Sequence, residues 1–111
     1  MAFDPTGFSI SISDRDGRAV VVIRGELDLA TAPELDAAIQ GRLDDGQDVV
    51  VDLRELGFMD STGLRVLVSA HARVERTEQS FLIVRPRPGA AIERILAVAG
   101  VEQVLDFVDD A

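Results

Sequence analysis

Three short apolar runs, AVVVI at 19–23, VVVDL at 49–53 and SFLIV at 80–84, are separated by stretches whose apolar residues recur every three or four positions. Runs this dense suit strands covered on both faces, and the period between them is that of amphipathic helices. A strand followed by a helix and a further strand must cross over the sheet, so the strands it joins lie parallel. No other feature narrows the fold so far: the chain is α/β, with a mostly parallel sheet.

The remaining elements fit around that alternation. FSISIS at 8–13 places Phe8, Ile10 and Ile12 on one side and three serines on the other, as in a half-buried strand near a sheet edge. The turn DRDG at 14–17 makes it an antiparallel hairpin partner of the strand over 18–25. A helix over 31–43 opens with Thr31 three residues before Glu34, the spacing of a capping box, and has Pro33 in its first turn. DDGQ at 44–47 ends it, and a buried strand follows over 48–53. A second helix spans 62–76, with Leu64, Leu67, Val68, His71 and Val74 on one stripe. A strand over 80–84, a helix over 90–100 closed by Gly100, and a short strand over 104–108 complete the pattern. The expected architecture is one mixed sheet of about five strands, with an N-terminal antiparallel hairpin strand and three to four helices. At 111 residues, with no linker, repeat or low-complexity segment, the chain reads as a single domain over 1–111.

Several function classes recede on composition. Twenty acidic residues against eleven basic ones give a net charge of −9, which disfavours nucleic-acid backbones and anionic lipid surfaces. All eleven basic residues are arginine, so a P-loop lysine or a lysine Schiff base is excluded. There is no cysteine, in keeping with a reducing compartment and the cytoplasm. No apolar run approaches the ~18 residues of a membrane span, and the opening MAFDPTGFSI lacks the basic region of a signal peptide.

In parallel sheets, sites form beyond the carboxyl ends of the strands. There GELD (25–28) and FMDSTG (58–63) bring Asp28 and Asp60 to one rim beside Ser61, if their strands are neighbours. Asp52 lies within a strand and could face either way. Enzyme chemistry fits this rim poorly. The one histidine, His71, lies about 15 Å along the helix from Ser61 and belongs to its apolar stripe. An open rim offers no dry pocket to separate the pKa values of Asp28 and Asp60, and DSTG lacks the second copy an aspartic protease needs. A phosphoaspartate receiver built on Asp52 would require a lysine. The scattered carboxylates suit no metal, and no cofactor is expected. What needs explaining is a surplus: Asp60, Ser61 and Thr62 are each able to cap one helix, and Gly63 follows although glycine costs about 0.5–1 kcal/mol there. Phe58, Met59 and Leu64 supply apolar surface around the spare hydroxyl. Together they hint at a site another protein must approach, with Gly63 removing bulk beside Ser61.

RGELDLATAPEL (24–35) followed by VVVDLRELGFMDSTGLRVLVSAHARV (49–74) resembles the STAS domain of bacterial anti-sigma factor antagonists, over nearly the whole chain. The resemblance implies the STAS fold and a non-enzymatic, partner-switching role in transcription regulation. It makes Ser61 the phosphoacceptor, with Thr62 the secondary candidate. The kinase would be an anti-sigma factor with serine kinase activity, bound by the unphosphorylated form and released by the phosphorylated one; a PP2C-type phosphatase would reset the switch. It assigns partner contact to Asp28, Asp60, Gly63 and Leu64, with Met59, Thr62 and Arg65 completing the contact set. Arg65 departs from the small residue familiar members often carry, which bears on which partner is recognised. The alternatives are an unswitched STAS scaffold, such as an accessory subunit of a lipid transporter or signalling complex, and a small hydrolase using Ser61 or the carboxylates.

Overall fold

The computed structural model describes residues 7–111, and most of the N-terminal stretch read above for a signal peptide lies outside them. The chain runs β1 (Ser9–Arg15), β2 (Arg18–Leu27), α1 (Ala32–Asp44), β3 (Asp48–Asp52), β4 (Leu56–Met59), α2 (Ser61–Val74), β5 (Phe81–Val84), α3 (Ala91–Ala99), a 3-10 turn (Val101–Gln103) and β6 (Phe107–Val108). The sheet order is β1-β2-β3-β5-β6, with β1–β2 antiparallel and the other pairs parallel. β1 is an edge strand, and its serines face outward as the alternation requires.

The three helices bury their apolar stripes in one cluster. Leu35, Ile39 and Leu43 of α1, Leu67 and Ala70 of α2, and Ile92 and Leu96 of α3 pack with Val21, Ile23, Val49, Val51, Phe81 and Ile83 of the strands. The alternate strand positions Val20, Val50 and Val84 are buried too, but on the sheet's other side, where Arg15, Arg24, Arg54 and Asp52 line a polar groove. Asp52 therefore faces away from the helices. Gly100 closes α3 in the left-handed conformation, with φ 73°.

The sheet has six strands, one more than the sequence pattern suggests. The extra one, β4, comprises four residues, one of them Gly57, and continues the path of β3 after a tight turn at Leu53–Leu56. β2 is long enough to pair with both: Arg18–Val22 lies against β3, and Gly25–Leu27 lies against β4. The register shifts between Gly25 and Glu26. Gly25 has φ 95°, and a Cβ there would stand 2.8 Å from the Phe8 Cα, so the bend in β2 requires glycine. This bend carries the end of β2 to the point where α2 begins.

A second difference concerns α1. Thr31 and Glu34 do not form a capping box; the Thr31 hydroxyl instead donates to the Glu26 carbonyl at 2.8 Å and accepts from the Asp28 N–H at 2.9 Å. The tertiary bond across the loop outcompetes the local one.

Candidate functional site

The parallel pairing of Leu27 with Met59 sets the next residues, Asp28 and Asp60, side by side at the carboxyl end of two strands about 4.8 Å apart. The Asp60 N–H donates to the Leu27 carbonyl at 3.0 Å, which ties the start of α2 to the end of β2. The condition for a shared rim, adjacency of the two strands, is met.

Asp60 caps α2. Its Oδ1 accepts from the Thr62 N–H at 2.9 Å and the Gly63 N–H at 3.0 Å, and its carbonyl accepts from the Leu64 N–H at 3.0 Å. This single residue satisfies the first-turn donors for which Ser61 and Thr62 were the other candidate caps. Ser61 is the first helical residue and is exposed; its hydroxyl makes no hydrogen bond to any described residue. The Thr62 hydroxyl is likewise unengaged but belongs to a half-buried residue, so accessibility separates the two.

Asp28 organises the loop that leads into α1, whose N-cap is Thr31. Its Oδ1 accepts from the N–H groups of Ala30 and Thr31 at 3.0 and 3.2 Å, and its carbonyl accepts from the Ala32 N–H at 2.7 Å. One oxygen of this half-buried carboxylate is thus committed to the loop, leaving the other for contacts outside.

The remaining expected contact residues divide by exposure. Arg65 is exposed and Leu64 half-buried, so both can meet a partner. Met59 is 1% exposed, and Gly63 is buried. A Cβ on Gly63 would lie 2.6 Å from the Leu27 Cγ and 3.1 Å from the Leu27 carbonyl oxygen. The glycine therefore lets α2 seat against β2. The expectation that Gly63 clears an approach to Ser61 is corrected: the space it leaves is filled by Leu27, and Met59 and Gly63 support the rim from beneath.

One feature escapes the strand and helix pattern. Between the start of α2 and the body of α3 runs a largely apolar groove of about 380 Å³, lined by Asp60, Ser61, Leu64, Arg94, Ile95 and Val98, with Met59 at its base. Val98 is 82% exposed, an unusual position for valine on a helix whose other face fills the core. The amphipathic pattern of α3 shows the stripe it buries but not that its flank opens onto Ser61.

Other titratable groups lie apart from the rim. Burial pushes the Asp52 carboxyl up, but the Arg54 guanidinium and backbone N–H, with Arg24 beyond, outweigh burial and hold it below the usual carboxylate range. Arg54 contacts it at 2.8 Å and is itself raised by the pairing. His71 is mostly buried along α2, 3.6 Å from Glu75 and 3.9 Å from Asp106, with no contact to Ser61. Its Nδ1 is buried without a hydrogen-bond partner. Among the described residues, no group of three or more His, Asp or Glu side chains is placed to hold a metal ion. None of their helices is long and apolar enough to cross a membrane.

Residues 10–108 match the family model described as "Mlab, STAS domain". The anti-sigma-B factor antagonist of Listeria monocytogenes is 37% identical over 89% of this chain and 87% of its own length. The anti-sigma-F factor antagonist RsfB of Mycobacterium tuberculosis is 28% identical over 89% of this chain and 80% of its own. Among solved structures, an anti-sigma factor antagonist from Mycobacterium paratuberculosis superposes with a TM-score of 0.83 at 29% identity, covering 96% of this chain and 90% of that one.

Proposed function

This chain belongs to the STAS-domain family, and we propose that it is an anti-sigma factor antagonist switched by phosphorylation of Ser61. The whole chain, 1–111, acts as one domain in the cytoplasm. Unphosphorylated, it binds an anti-sigma factor that is also a serine kinase, and the sigma factor goes free. Phosphorylated, it lets go, and a PP2C-type phosphatase restores it. The kinase step transfers the γ-phosphoryl group of ATP to the Ser61 Oγ: the new O–P bond forms as the bond to ADP breaks, and the hydroxyl proton leaves. Thr62 is the secondary acceptor.

The observation that carries this reading is the unused hydroxyl of Ser61, exposed at a helix start already capped by Asp60. A helix N-terminus accommodates a phosphate, so modification need not unfold the domain. The modification does add about −1.5 to −2 charges to a rim holding Asp28 and Asp60. One unit charge about 5 Å from a partner carboxylate costs about 3 kcal/mol at an effective dielectric near 20. That alone is roughly a hundredfold in affinity. Asp28, Asp60, Thr62, Leu64 and Arg65 form the contact surface, and Met59 and Gly63 hold it in place.

The test is incubation with ATP and candidate anti-sigma kinases, followed by mass spectrometry of the phosphorylated peptide. Phosphate on Ser61 is expected; none on Ser61 or Thr62 with every candidate would favour an unswitched scaffold. Ser61→Ala should still bind the anti-sigma factor, and Ser61→Asp should bind it roughly a hundredfold more weakly. Equal affinities would sink the electrostatic switch.

A further inference from the structure

The groove beside Ser61 contains a cation without a partner. Arg42, Arg54, Arg73, Arg85 and Arg87 each pair with a carboxylate. Arg94 has no ion pair and no hydrogen bond to any described residue, in a chain of net charge −9. It lies on α3 and lines the same groove as Ser61 at the start of α2, together with Leu64, Ile95 and Val98. Its guanidinium offers a planar fork of donors and borders a groove with little polar lining.

We infer that Arg94 is the receptor for the phosphate on Ser61. The guanidinium donates paired, charge-assisted hydrogen bonds to the phosphate oxygens, joining the start of α2 to α3 across the groove. The apolar surface that Leu64, Ile95 and Val98 give the groove is then partly covered. Release of a partner would follow from the covering of an apolar surface as well as from added charge. This inference rests on the reading of Ser61 as the phosphoacceptor and adds to it the residue that receives the modification.

The charged groups around the phosphate pull in opposite directions. Asp60 before it and Asp28 on the neighbouring loop favour its monoanion. The α2 N-terminus, Arg94 on α3, and Arg65 one turn along α2 favour the dianion. Arg65 is exposed and also unpaired among the described residues, but it does not line the groove. The two arginines therefore make a controlled comparison.

Phosphoserine installed at position 61 of the full chain by genetic encoding permits a ³¹P NMR pH titration without any kinase. Arg94→Ala is expected to raise the second phosphate pKa by about half a unit or more, the effect of one charge at about 5 Å even with water-like screening. Arg94→Lys should restore at least part of the wild-type value, and Arg65→Ala should move it less than Arg94→Ala does. A shift below about half a unit for Arg94→Ala, or a larger one for Arg65→Ala, overturns the inference. These outcomes do not depend on whether a kinase modifies Ser61, which the mass-spectrometric experiment decides separately.

Discussion

The two helix starts at the rim are built from the same parts and use them differently. At α1, Asp28 accepts from the N–H groups of the following turn, and the Thr31 hydroxyl is buried, donating to Glu26 and accepting from Asp28. At α2, Asp60 accepts from Thr62 and Gly63, and the hydroxyl of the exposed Ser61 has no described partner. One start consumes its hydroxyl in holding a loop; the other keeps its hydroxyl free on a rigid base. The contrast separates a structural hydroxyl from an available one without any appeal to what relatives do.

The rigid base should be the most sensitive part. Gly63→Ala forces a Cβ to within 2.6 Å of the Leu27 Cγ, and Leu27 is fully buried with no open space to enter. A loss of about 1–3 kcal/mol is expected in denaturant unfolding. A neutral result would mean that α2 is not seated on β2 and would remove the rigid half of the contrast. Next in size is Thr31→Ala, which leaves the Asp28 N–H without its acceptor inside a closed loop. It should cost about 1–2 kcal/mol by the same measurement.

The carboxylates test the similarity of the two starts, as the hydroxyls test their difference. Asp28→Ala and Asp60→Ala each remove an acceptor serving two N–H groups. Each should cost about 1 kcal/mol, and the two values should agree to within about 0.5 kcal/mol. A much larger cost at one position would show that the two carboxylates do not hold their loops equally.

Much of this was legible before any coordinates. The runs at 19–23, 49–53 and 80–84 identify the inner strands because burial on both faces admits little else. Asp28 follows from the first of these runs, and Asp60 and Ser61 from the motif after the second, although it is the unseen β4 that carries them to the rim beside β2. What escaped was set by contacts distant in sequence. β4 went unseen because LGFM is short, contains glycine, and acquires strand geometry only by pairing with the bent end of β2. Thr31 and Glu34 had the right spacing for a capping box, yet the Glu26 carbonyl claimed the hydroxyl. Gly63 looked like clearance for a partner because nothing local reveals that Leu27 fills the space. Arg94 carried no signal at all: it shares a groove with Ser61 only because α3 packs beside the start of α2.

A smaller effect is expected from a carboxylate that belongs to the sheet and not to the rim. The lowered pKa of Asp52 means that its ionised form stabilises the fold above the ordinary carboxylate pKa near 4. That contribution is lost as pH falls through the lowered folded-state value. Asp52→Asn should therefore flatten the dependence of stability on pH below about pH 4, and should leave binding of the anti-sigma factor unchanged. A steep acid response that survives in Asp52→Asn would assign it to other groups.

The smallest expected change is the most discriminating. Ser61→Ala removes a hydroxyl that no described residue uses, from an exposed position whose N-cap is supplied by Asp60. Alanine is also the better helix former, so stability should stay within about 0.5 kcal/mol of wild type or rise slightly. Set beside Thr31→Ala, the pair measures the contrast directly: two hydroxyls removed at two helix starts on one rim, one costly and one free. If Ser61→Ala proved as destabilising as Thr31→Ala, its hydroxyl would be part of the cap. A kinase would then have to break a structural bond before it could transfer phosphate. If it proves neutral, the hydroxyl contributes nothing to the fold, and its place at the centre of an acidic rim must be explained by what it does for a partner.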